Sequence, residues 1–428
     1  MTQLSAHAAH HHADDHASDL AQRLEHDNIY LPAGTGNGLS VTLIGIGVFA
    51  IAATVLAGMT VGVKHALASY HVGAMCVLAV CLGATFWTMV LHLTNAGWSS
   101  TIRRQLENIS SLMPLALLLV APVLIIEVAL QGRLFTWMSP EHAGDILLEK
   151  KRAFLNVPFF VVRALIYSAV WLFLSSRLRA VSMQVERTGD PNLIRKVRFM
   201  SGWGLLAFAL TTAFASFDWL MAMDWRFFST MWGVYYFAGA AMSAMALTAL
   251  VLAILRGMGR LTGVVTKEHF HDVGKLCFAF TVFWTYIAFS QYFLIWYSNI
   301  PEETAFYLYR SEHGWLTLGA ILCAGHFVLP FLFLMPRTIK RSTVGLAAGA
   351  VWLLVMQVLD IVWIVRPMVY AGEGVTPGSP VNWWVDFVAI LGVLCVFAGV
   401  LVKRVASGSL IPLNDPYLKE ALTHNNAV

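Results

Sequence analysis

Five ionisable residues, Glu127, Arg163, Asp218, Asp360 and Asp386, each interrupt a long apolar run. An ionisable side chain inside hydrocarbon costs about 3 kcal/mol or more and persists only with a partner or a task. The task best suited to a carboxyl in apolar surroundings is taking up and releasing a proton near neutral pH. Asp218 lies in the stretch around which the chain is organised, Phe214 to Tyr236, F-A-S-F-D-W-L-M-A-M-D-W-R-F-F-S-T-M-W-G-V-Y-Y. There Trp219, Trp225, Trp232, Tyr235 and Tyr236 crowd a turn between two apolar runs, the pattern of a lipid–water interface. The candidate proton-transfer set is Asp218, Asp360 and Glu127, with Arg163 holding the acids in register. The plainer alternative makes Arg163 an internal strut paired with one or more of them.

The elements that must position these residues follow from composition. Of 428 residues, 58% are hydrophobic and 12% charged, half the charged fraction of an ordinary soluble domain. Ten apolar spans are expected, near 39–63, 70–92, 112–131, 157–178, 200–223, 229–255, 275–296, 314–335, 344–366 and 381–402. Each is long enough to cross a bilayer as a helix, and continuous runs of this length exclude a β-barrel. The expected fold is therefore an all-α polytopic membrane protein: a His-rich disordered tail over 1–38, a membrane domain over 39–403, and a second tail over 404–428. Lys and Arg number 18 in the tails and the loops after even-numbered helices, against 8 in the opposite loops, so both termini are expected in the cytoplasm.

With that orientation, Glu127, Arg163, Asp218, Asp360 and Asp386 each fall four to seven positions from the outer end of a helix, about 6 to 10 Å inside. Gln291, Tyr286 and Tyr292 approach the same level. Lys64, His65, His71, Glu302, Glu303, His313 and Arg366 are expected around the outer rim. The inner half reads as nearly bare, with His326 near the middle and His92 and Lys275 at the inner edge. Five scattered cysteines without C-x-x-C spacing argue against an iron–sulfur cluster, structural zinc or a disulfide framework. Only His326 is central among the histidines, so bis-histidine haem is not expected. The A-H-A-A-H-H-H-A-D-D-H tail has nothing to order it as a metal site, and no cleavable leader is expected.

At F-D-W-L-M-A-M-D-W, S-T-M-W-G-V-Y-Y-F-A-G and F-S-Q-Y-F-L-I-W-Y-S-N-I-P-E-E, the chain resembles the NrfD or polysulfide-reductase-C class of quinol-interacting membrane subunits. Within that class it is most similar to the F-type subunits of alternative complex III, a quinol:cytochrome c oxidoreductase. The resemblance runs over all ten spans. It implies two four-helix bundles, helices two to five and six to nine, with helices one and ten outside them. It implies no haem or metal bound by this chain. Haem and iron–sulfur centres would belong to partners: an NrfD-like sister subunit, an iron–sulfur subunit and cytochrome c subunits. It implies a bacterial inner membrane and a bound quinone, menaquinone or ubiquinone, with Trp219, Gln291, Tyr292 and His71 as the candidate pocket. No nucleic-acid partner is expected. Two alternatives stay open: a proton-coupled secondary transporter, and a scaffold or proton-conducting subunit without quinone.

Overall fold

The computed structural model describes residues 22–312, 315–370 and 382–426. His313 and residues 1–21 of the amino-terminal tail lie outside the described residues. Among those described there is no strand, and ten helices are long and apolar enough to cross a membrane. They are α1 (Asn37–Val61), α2 (Val63–Leu93), α3 (Gly97–Ala129, with a break at 111–112), α4 (Val157–Thr188) and α5 (Pro191–Trp219). The rest are α6 (Trp232–Gly257), α7 (Lys267–Ser298), α8 (Leu316–Leu334), α9 (Thr343–Val365) and α10 (Trp383–Val405).

The helices assemble as two groups of four. In one, α2 packs on α3, α4 and α5; in the other, α6 packs on α7 and α9, with α8 closing against α7 and α9. The groups meet through α2 and α6, the two most buried spans. Small residues make that contact possible, since a Cβ on Gly83 would sit 2.0 Å from the Ala240 carbonyl oxygen. Without a hydrophobic drive between helices in lipid, close backbone approach of this kind supplies the packing energy. Outside both groups, α1 and α10 pack on each other and on α2, again through glycines: Gly47 and Gly399 leave no room for a Cβ.

α2 begins early, at Val63 rather than near 70, on one face; four other helices begin or end well beyond their apolar spans on the face that receives the chain's tails, called here the tail face. α3 starts at Gly97 rather than near 112, α4 runs on to Thr188, α5 starts at Pro191 and α7 at Lys267. Hydropathy detects only the part of a helix that lipid must solvate, so these polar extensions were invisible to it. The tails pack beneath them. Ile29 is buried, Leu261 N–H donates to the Asn28 carbonyl at 3.0 Å, and Leu410, Ile411 and the helix Leu418–Leu422 close the surface. The described part of the stretch expected to be disordered, from 22 onward, thus belongs to the fold.

At the opposite end, the turn face, residues 130–156 and the helix Pro301–Glu312 lie over the helix ends. The tryptophans and tyrosines of the central turn are consequently not an interfacial belt. Trp219, Trp225, Trp232, Tyr235 and Tyr236 are all buried. On the turn-face half of α7, by contrast, Tyr286, Tyr292, Trp296 and Tyr297 face outward.

Candidate functional site

Asp218 occupies the last turn of α5 and is fully buried. Arg163, one and a half turns into α4, meets it in a bidentate pair, Nε to Oδ2 at 2.8 Å and Nη2 to Oδ1 at 2.6 Å. Tyr167, one turn further along α4, donates its hydroxyl to Oδ2 at 2.9 Å. The third guanidinium nitrogen donates to the Phe154 carbonyl at 2.9 Å, and the group lies over the Phe154 and Phe159 rings. Every charge here is matched in planar geometry, the arrangement that makes Arg–carboxylate pairs strong. For Asp218 the strut reading is the one the geometry supports.

Asp386 has the same character. Arg366 Nε donates to Oδ1 at 2.7 Å, Ser69 Oγ donates to the same oxygen at 2.7 Å, and His65 Nε2 lies 3.8 Å from Oδ2. Arg366, expected on the rim, is buried, and so is Arg310, which donates to the Trp363 and Ile364 carbonyls; with Arg163 there are three internal cations toward this end, so the acids outnumber the internal bases less than the spacing implied. Glu127 has no Lys, Arg or His within ion-pair distance among the described residues. Its carboxylate accepts the Leu134 and Phe135 amides at 2.8 to 2.9 Å and so ties down the chain leaving α3.

Asp360 differs from the other three. It is buried on α9, accepts the Tyr235 hydroxyl of α6, and has no Lys, Arg or His within ion-pair distance among the described residues. The polar groups that continue inward from it are neutral. Gln357, one turn along α9, is buried with both amide atoms unpartnered, in space that Gly239 leaves open. Tyr235 leans on Trp284, and Trp284 stacks on His326 at 3.9 Å. His326 is fully buried with neither ring nitrogen hydrogen-bonded, in a π-helical turn at Cys323–Val328. Pro330 withholds the N–H that an α-helix would bring to the His326 carbonyl, which accounts for the wide turn.

The residues expected to line one quinone pocket are divided between the two helix groups. His71 is buried, not on the rim, and its Nε2 donates to the Trp219 carbonyl at 2.8 Å. Trp219 itself is wedged against Tyr167 and Trp171. Gln291 lies in the other group, accepting from Ser229 Oγ at 2.7 Å and donating to the Tyr307 hydroxyl at 3.3 Å. Burial pushes the Tyr307 pKa up to about 12, so that hydroxyl stays neutral. Tyr292 is 45% exposed and points outward beside Tyr307. Lys151 secures the covering loop by donating to the Trp225 carbonyl at 2.6 Å, and burial pulls its pKa below the usual lysine value.

The expectation of a bare inner half does not hold for the whole molecule. The extension of α3 carries Arg103, Arg104 and Glu107, all buried. Arg103 pairs with Asp415, Arg104 with Glu186, and Glu107 takes Ser182 Oγ at 2.6 Å and Arg179 at 3.4 Å. Glu107 and Glu127 stand on either side of the apolar run of α3, Glu107 before its break at 111–112 and Glu127 near its far end. Buried charge therefore flanks the apolar slab on both sides. A sequence signal for the second layer existed in Ile102, Leu106 and Ile109, apolar at helical spacing, and in the i, i+4 pair Arg103 and Glu107. Tyr167 and Tyr235 had no such signal. No family model matches the chain, and no curated protein is matched by it. Among the described residues no group of three or more His, Cys, Asp or Glu is placed to hold a metal ion.

Proposed function

We propose that this chain is a membrane subunit of a respiratory quinol:electron-acceptor oxidoreductase, of the alternative complex III kind, in which Asp360 exchanges the proton. The observation that carries the reading is the contrast among four buried acids. Asp218 and Asp386 are held by arginines, Glu127 is held by backbone amides, and Asp360 alone among them meets only neutral side-chain donors, the Tyr235 hydroxyl and the Trp284 indole. A carboxyl locked to a guanidinium is a poor proton carrier, whereas one hydrogen-bonded to tyrosine can gain or lose a proton with little rearrangement. Quinone, menaquinone or ubiquinone, would approach from lipid along α7, where exposed Tyr292 borders buried Gln291. Electrons would pass to iron–sulfur and haem centres in partner subunits. The surplus of Lys and Arg on the tail face supports an orientation with both termini in the cytoplasm, and the membrane we propose is the bacterial inner membrane.

The test is Asp360→Asn in the assembled complex, with quinol oxidation and proton release measured together. Assembly should be retained and proton release should fall at least tenfold, since the amide keeps the acceptor for Tyr235 but cannot carry the proton. Unchanged turnover and proton stoichiometry would remove Asp360 from the chemistry and leave the scaffold reading. A transporter would instead purify without haem or iron absorbance.

A further inference from the structure

We propose that the tail face binds the headgroup of an anionic phospholipid in a cleft between α6, α7 and the start of α9. A cavity of about 620 Å³ opens there, lined by Arg256 of α6, Lys267 of α7, and Thr338, Arg341, Ser342 and Thr343 of the α8–α9 connection. Three cations and no carboxylate line it. Glu268, just outside, takes up Arg341 and also accepts from Asn426. That leaves Arg256 and Lys267 with no carboxylate in ion-pair reach among the described residues; Arg256 makes one bond, to the Leu261 carbonyl at 3.2 Å. Arg341 Nε is buried and has no hydrogen-bond partner.

The backbone adds donors to these charges. Ser342 caps Gly345 at 3.1 Å, so the amides of Thr343 and Val344 remain without an intrahelical acceptor at the positive end of a 23-residue helix. Cations converging with free amides suit a phosphate group. The adjoining surface favours a lipid over a soluble phosphate. Val344, next to the lining, is 79% exposed and Ile254 is 55% exposed, which gives acyl chains an apolar track away from the charged cleft. This site is at the opposite end of the molecule from Tyr235 and Asp360 and stands whether or not the quinol reading does.

The experiment uses the full-length protein, purified in detergent and stripped of lipid, with bound lipid counted by native mass spectrometry and stability followed by thermal unfolding. Phosphatidylglycerol should bind and raise the Tm, phosphatidylcholine should not, and Arg256→Gln with Lys267→Gln should weaken phosphatidylglycerol binding about 25-fold, near fivefold per charge. The charge-preserving pair Arg256→Lys and Lys267→Arg should bind as the parent does, which separates lost charge from lost folding. Arg187→Gln with Lys196→Gln, exposed cations elsewhere on the same face, should change nothing. Equal response to phosphatidylcholine, undiminished binding in the Gln pair, or equal loss in the Arg187 and Lys196 pair overturns the proposal. Inorganic phosphate stabilising as well as phosphatidylglycerol would assign the cleft to a soluble anion and overturn the lipid.

Discussion

Asp218 and Asp360 present the same side chain, near the same face, to the same test with opposite expected results. Replacing Asp218 by Asn leaves the Arg163 guanidinium buried at 5% exposure without a countercharge, facing a neutral amide, one backbone carbonyl and two aromatic rings. Stranding a buried charge in this way costs about 3–5 kcal/mol. Replacing Asp360 by Asn strands nothing: the Tyr235 hydroxyl still finds an oxygen, and the cost should stay below about 1 kcal/mol. Multi-span proteins commonly unfold irreversibly, so the readout is the half-life of the fluorescence change at one elevated temperature. A loss of about 3 kcal/mol falling wholly on the unfolding barrier shortens that half-life roughly a hundredfold. Asp218→Asn should approach this figure and Asp360→Asn should not. Adding Arg163→Met to Asp218→Asn should recover about 2 kcal/mol relative to the summed single losses, because the stranded charge is gone. Equal half-lives for the two Asn variants, or additivity in the Arg163 cycle, would refute the division into strut and proton carrier.

Other consequences follow from single contacts. Glu127→Ala removes the acceptor for two buried amides and should cost about 3 kcal/mol, with hydrogen exchange accelerating first at Leu134 and Phe135. Gly83→Ala forces a methyl against the Ala240 carbonyl at the centre of the molecule, and a loss of about 3 kcal/mol should appear as poor recovery of folded protein. Arg103→Ala frees Asp415, so the carboxy-terminal segment should become a trypsin target at Lys419 while the ten spans stay intact; unchanged digestion would show that Leu410, Ile411 and Leu422 suffice to hold it.

What was legible beforehand was what the bilayer dictates. Hydrocarbon thickness sets a minimum apolar length, and all ten helices satisfied it. The same criterion was blind to Gly97–Ser110, where Arg103, Arg104 and Glu107 make the helix look like a loop although protein, not lipid, surrounds them. The aromatic turn misled for a related reason. Tryptophan at a helix end reads as interfacial only when nothing covers it, and residues 130–156 and Pro301–Glu312 do cover it. Pairings were out of reach altogether. Arg163 and Asp218 lie 55 positions apart, Tyr235 and Asp360 lie 125 apart, and no local pattern selects either partner.

The two helix groups make the difference between the aspartates intelligible. In each, the last helix carries a buried aspartate toward the turn face, Asp218 on α5 and Asp360 on α9. In the first group the helix before it, α4, supplies Arg163 in its second turn. In the second group the corresponding helix is α8, whose opening turns, Leu316–Leu322, read L-T-L-G-A-I-L and offer no cation. Asp360 therefore has the setting of Asp218 without the base that immobilises it, and Tyr235 from α6 fills the role that Tyr167 plays beside Asp218. One group thus neutralises its buried aspartate with an internal arginine, while the other meets its aspartate with neutral donors.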